Sequence, residues 1–125
     1  GPRDESAKTY RTWANYAFAF RKRYGAWPVW NQRTAAQISQ LVDRLGQNEA
    51  PRVAAFYLSV NDARLINEQH SVGLLLARAE SLRTQWVTGR QVNMETARQI
   101  EKTQANVNAM KQLNDESGET NEFIV

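Results

Sequence analysis

The chain of 125 residues contains no cysteine and a single histidine, His70. Without thiols there is no disulfide framework, no cysteine-ligated zinc and no thiol nucleophile, a composition that fits a reducing, cytoplasmic setting. One histidine with Glu68 as its only nearby acid supplies neither the three or four ligands of a zinc centre nor the partners of a general base. His70 therefore reads as a boundary or packing residue. The six glycines are scattered singly and no Gly-Lys-Ser/Thr occurs, which excludes a glycine-rich phosphate loop. No apolar run approaches the roughly 18 residues of a membrane span, and residues 1–10 are polar where a signal peptide would be apolar. Carboxylates are dispersed, mostly beside arginine, in the manner of solvated surface pairs. The expectation is a protein that is not an enzyme and needs no cofactor, metal or membrane.

What is present is helical periodicity. Tyr10, Trp13, Ala17, Phe20 and Tyr24 follow steps of three and four, predicting a first helix from about Ser6 to Tyr24 that Gly25 ends. Pro28 interrupts any continuation and forces Trp27 toward extended conformations, so residues 26–30 form an aromatic-rich connector. Asn31 caps a second helix with Ile38, Leu41, Val42 and Leu45 inward and Gly46 at its end. Asn48 is read as the cap of a third, with Pro51 in its first turn and Val53, Phe56, Tyr57 and Val60 inward, ending at Asn61-Asp62. Residues 63–69 fit either a short helical turn or a loop. Ser71 caps a fourth helix that runs through Leu75, Leu76, Ala79, Leu82 and Trp86 to Gly89. A fifth begins near Asn93 with a thin apolar seam of Met94, Ala97, Ile100, Val107 and Met110.

The fold class expected is all-α, a single compact bundle of about five helices over 3–114, followed by a disordered acidic tail over 115–125. Gly1-Pro2 has the look of a remnant left by tag removal and is set aside from the fold.

Charge is distributed unevenly. Residues 1–33 hold seven Lys/Arg against two acids, while 115–125 hold four acids and no base, so the net +3 becomes +7 once the tail is set aside. A basic body of this size suits a phosphate-bearing partner. The segment Tyr10 to Arg33 contains three of four tryptophans, three of four tyrosines and the run Arg21-Lys22-Arg23. On the first helix, Arg11, Phe18 and Lys22 share a face turned away from the Tyr10/Trp13/Phe20 stripe, the spacing of a ring between two cations. Phe18 equally suits packing under another helix. Trp27 and Trp30 either plug the end of the bundle or stand exposed for a base or a partner. Arg21, Lys22 and Arg23 can complement the helix dipole, although three in a row exceed what capping needs. Arg33, and Arg83 and Arg90 on either side of Trp86, extend the candidate basic surface. In the tail, Phe123, Ile124 and Val125 follow acids and form an amphipathic terminus suited to docking on a partner or on the domain itself.

The run RKRYGAWPVWNQRTAAQISQLVDRLG, with PRVAAFYLSVND and HSVGLLLARAESLRTQWVTGRQV, resembles the C-terminal helical region of phage and prophage DNA replication proteins, the replisome organisers and helicase loaders. GLLLARAESLRTQW is more loosely similar to the helical domains of the DnaD and DnaT primosome families. The resemblance implies a replication-initiation accessory in a bacterial host cell. Such a protein binds DNA, in single-stranded form, and recruits or loads the replicative helicase. On the matching positions the implied DNA contacts are Arg21, Lys22, Arg23, Trp27, Trp30, Arg33, Arg83, Trp86 and Arg90. The aromatic first helix departs from the primosome pattern, and the winged helix that precedes this region in such proteins is not represented. The rival expectation is a protein-interaction or homo-oligomerisation module that touches no nucleic acid and uses the fifth helix and the tail.

Overall fold

The computed structural model describes residues 1–89, which lie within one compact unit, Gly1–Gln91. These residues are all-α: α1 (Tyr10–Tyr24), α2 (Gln32–Leu45), α3 (Ala50–Tyr57), α4 (Ala63–Asn67), α5 (Val72–Ala77) and α6 (Ala79–Thr88). The expected fifth helix from Asn93 and the acidic tail fall outside the described residues.

Local signals fix most boundaries. Asn31 accepts a hydrogen bond from Thr34 N at the start of α2, Asp62 accepts from Arg64 N and Leu65 N at α4, and Ser71 accepts from Leu74 N at α5. Gly25 closes α1 at φ 74°, a left-handed conformation that would strain a side chain. Three boundaries differ from expectation, one being that α3 ends at Tyr57, short of the expected Asn61-Asp62. α1 starts at Tyr10 rather than Ser6, because Asp4 folds residues 4–7 into a turn by accepting from Ser6 N. At α3 the cap position belongs to Glu49, not Asn48, with no side-chain bond and with Pro51 in the first turn.

The long helix expected from Ser71 to Gly89 is broken into α5 and α6 at Arg78. Arg44 of α2 causes the break to be tolerated: its Nη1 donates to Leu76 O, the carbonyl Glu80 N–H would take in an unbroken helix, at 2.8 Å. Its Nε donates to the Glu80 carboxylate at 2.9 Å, and Nη2 grips the same group. That contact holds the Arg44 guanidinium protonated and the Glu80 carboxyl below its ordinary range.

α1 and α3 lie side by side and run the same way, since Asn15 Nδ2 reaches Pro51 O at 3.1 Å and Arg23 Nη1 reaches Leu58 O at 2.9 Å. α2 packs on α5 and α6, and α6 also meets α3. Between them lie Ile38, Leu41, Val53, Tyr57, Leu65, Leu75 and Leu82, all buried. The buried line of α1 is Thr12, Trp13, Tyr16 and Ala17, rotated from the expected stripe, with Phe20 and Tyr24 half-buried.

His70 sits at the junction, fully buried at 0% exposure. Its Nε2 lies 2.8 Å from Val60 O, an acceptor only, so Nε2 carries the proton and Nδ1 accepts from the Tyr24 hydroxyl. Its backbone N–H donates to Leu65 O and its carbonyl accepts from the Tyr16 hydroxyl at 2.7 Å. Tyr57 donates to the next carbonyl, Ser71 O, at 2.7 Å. Burial pushes both the Tyr16 and Tyr57 phenols up, so they act only as neutral donors. Burial likewise holds His70 below its ordinary 6.5, reinforced by the Arg23 guanidinium and opposed by the Val60 bond.

Because the native state keeps His70 neutral while the unfolded chain protonates near pH 6.5, acid favours unfolding. Stability is full above that pH and falls as pH drops toward the folded-state value, by up to about 1.4 kcal/mol per pH unit. Urea midpoints measured from pH 7.5 to 5 should decline over that window, and His70→Gln, which cannot titrate, should flatten the decline.

Candidate nucleic-acid interface

Along the connector after α1 exposure alternates: Trp27 and Val29 are exposed, Pro28 and Trp30 half-buried, the pattern of an extended segment. Trp30 is half-buried with its ring 4.6 Å from that of Trp13. The two tryptophans on either side of Pro28 thus divide, one packing on the bundle and one leaving it. Trp27 is 50% exposed and Val29 74% exposed.

Trp27 does not project alone. Phe18, 65% exposed, meets it edge to face at 5.3 Å, and the Arg21 guanidinium lies 4.6 Å from its ring centroid. Phe18 and Arg21 are three apart on α1, so one helical face carries both to the indole. Lys22, four after Phe18, is exposed and adjoins this face, while Arg11 lies on the same outer face about 10 Å toward the N-terminus. Neither Lys22 nor Arg33 has a hydrogen bond or ion pair within the described residues.

Two hollows flank the connector and share Pro28. One, of about 360 Å³, is mostly apolar and runs between Phe18 and Trp27 on one side and Tyr10, Trp13 and Trp30 on the other. The other, of about 380 Å³, lies beneath Val29 and is lined by Phe20, Arg33, Gln37, Glu68 and Gln69 among others.

Several candidate cations are committed to the fold. Arg23 donates to Leu58 O and, through Nη2, to Asn61 Oδ1 at 2.9 Å, satisfying the end of α3. Arg83 forms a two-pronged pair with Glu49 at 3.2 Å, tying α6 to the start of α3. That pair lies at the Pro51 end of the α1/α3 layer, whereas Arg21 and Lys22 lie at the Leu58 end, so Arg83 does not converge with them. Trp86 packs half-buried against the core. Arg90, Phe123, Ile124 and Val125 fall outside the described residues. Of the sequence-derived set, the structure brings together Phe18, Arg21 and Trp27; Lys22 lines a separate hollow with Ala55, Leu58 and Ser59, and Arg33 lines the one bordered by Val29.

Sequence reasoning overlooked Val29 and the polar groups of the second hollow. The signal for Val29 was available: in an extended segment it shares parity with Trp27. Among the described residues no group of three or more His, Asp or Glu is placed to hold a metal, and no helix is long and apolar enough to cross a membrane. No family model, curated protein or solved structure matches the chain.

This division of aromatic roles has a measurable consequence. Trp13→Ala should cost about 3–5 kcal/mol of stability through the cavity it leaves, whereas Phe18→Ala should stay within about 1 kcal/mol by denaturant unfolding.

Proposed function

We propose that this domain binds single-stranded DNA on the surface formed by Phe18, Arg21, Lys22, Trp27 and Arg33. The observation that carries this reading is the Phe18–Trp27–Arg21 cluster: two large exposed rings in contact, with a guanidinium against one of them that has no hydrogen bond or ion pair among the described residues. Exposed rings in contact with one another form an apolar patch of the kind that suits a ligand. Every base has a π-face, and an unpaired base can slide against Trp27 or Phe18 while Arg21, Lys22 and Arg33 neutralise neighbouring phosphates. The chemistry is binding rather than catalysis.

The resemblance to phage replication proteins supplies a setting for it. There the domain would hold exposed single strand at an opened origin while a replicative helicase is recruited. The rival module, for protein association alone, relies on seam and tail residues outside the described region; Val29 and the apolar hollow would serve it on this face, but the flanking cations would then have no role.

Titration of a fluorescent single-stranded oligonucleotide tests the proposal. Three phosphate contacts predict a log–log salt slope of about −2, and Trp27→Ala should weaken binding by about 1–3 kcal/mol with the helical circular-dichroism signal unchanged. Undetectable binding at low salt, or affinity indifferent to salt, would sink the idea. Arg83→Ala, which removes only the Glu49 pair, should leave affinity unaltered within error.

A further inference from the structure

The hollow beneath Val29 differs in chemistry from the apolar one beside Trp27, and the difference is informative. Its wall includes the half-buried Phe20, Arg33, Gln37 and Gln69, and neither glutamine has a side-chain hydrogen bond within the described residues. Glu68 completes the wall. One of its carboxylate oxygens meets Arg64 at 3.3 Å, leaving acceptor sites on the other. At about 380 Å³ the hollow falls in the range of small-ligand clefts, about 300–1,000 Å³.

The backbone at its edge is also unusual. Gln69 and His70 are consecutive non-glycine residues at φ 53° and φ 50°. Each such conformation costs of order 1 kcal/mol and persists only where the surroundings over-determine it, as the four bonds to His70 do here. The strained step sets Gln69 at the rim of the hollow, beside Glu68.

We infer that this hollow receives one base of the bound strand and selects bases that bear an exocyclic amine. This rests on the single-strand reading above and adds to it a base preference. The path follows from Pro28, which borders both hollows: one base stacks at Trp27, the chain crosses the connector, and a neighbouring base enters beneath Val29 with its phosphate near Arg33. A carboxylate only accepts hydrogen bonds, so Glu68 pairs with the amino group of cytosine, adenine or guanine and faces carbonyl oxygen in thymine. Gln37 and Gln69 have both donor and acceptor atoms and satisfy the rest of the base edge without discriminating strongly.

Cytosine and thymine share a ring size and differ at C4, N3 and the C5-methyl, so dC and dT oligonucleotides of about twelve nucleotides are compared on the native protein and on Glu68→Ala, which separates the part of the difference that Glu68 reads. Fluorescence anisotropy at low salt should give the dC strand about three- to tenfold tighter binding, the value of one net hydrogen bond. Glu68→Ala should erase that ratio, whatever it does to absolute affinity, since it also removes a negative charge near phosphate. Gln37→Ala should weaken both strands alike. Equal affinity of the native protein for dC and dT, or a dC preference that survives Glu68→Ala, would overturn the inference while leaving the single-strand reading intact. Failure of both strands to bind would overturn the two together.

Discussion

A neutral imidazole governs this fold. His70 lies where the segment after α3, the end of α4 and the start of α5 converge, and it bonds through every polar atom it has. Two of those bonds come from phenols of α1, Tyr16 and Tyr24, so the orientation of the first helix is set by a residue 54 positions away in the case of Tyr16. The left-handed turn at Gln69-His70 would be unfavourable by itself. It is held because an alternative backbone would leave a buried carbonyl and a buried phenol without partners, and each such orphan costs about 1–3 kcal/mol.

From His70 the constraint travels outward through rings. Tyr24, Phe20, Tyr16, Trp13 and Trp30 form an unbroken series of neighbours at centroid separations of 4.6 to 5.7 Å. Once Trp30 is seated on Trp13, an extended connector places Trp27 and Val29 on the opposite side. The exposure of Trp27 is therefore a consequence of how the core is filled. The exposed Phe18–Trp27 pair makes no ring contact with that series among the described residues and is joined to it through the connector backbone.

Features written in neighbouring residues were legible from the sequence. Asn31, Ser71 and Gly25 punctuate helices because their side chains or φ angles act within a few positions. Features created by distant residues were not. At the break at Arg78 the freed Leu76 O is met by Arg44, 32 positions along the chain. Tyr16, three after Trp13 and four before Phe20, fits the helical spacing although the expected stripe omitted it, but its bond to His70 O had no local signal. Among Arg21, Lys22 and Arg23, sequence offers three equivalent cations, yet successive residues on a helix point about 100° apart. One meets Trp27, one faces solvent and one closes α3.

That last distinction bears on how charge should be used in arguing for a nucleic-acid partner. A basic excess is a poor argument while its members are unlocated, because each guanidinium held by a carbonyl or carboxylate contributes little to an external phosphate. Arg23, Arg44, Arg78 and Arg83 are held in this way at helix ends and helix contacts. Their pairing leaves Arg21 against the exposed Trp27 ring and Arg33 at the hollow bordered by Pro28 and Val29. Stacking and phosphate neutralisation need to act within one nucleotide step of each other. Arg21, 4.6 Å from the Trp27 ring centroid, is the cation that the fold sets at that spacing from an exposed ring.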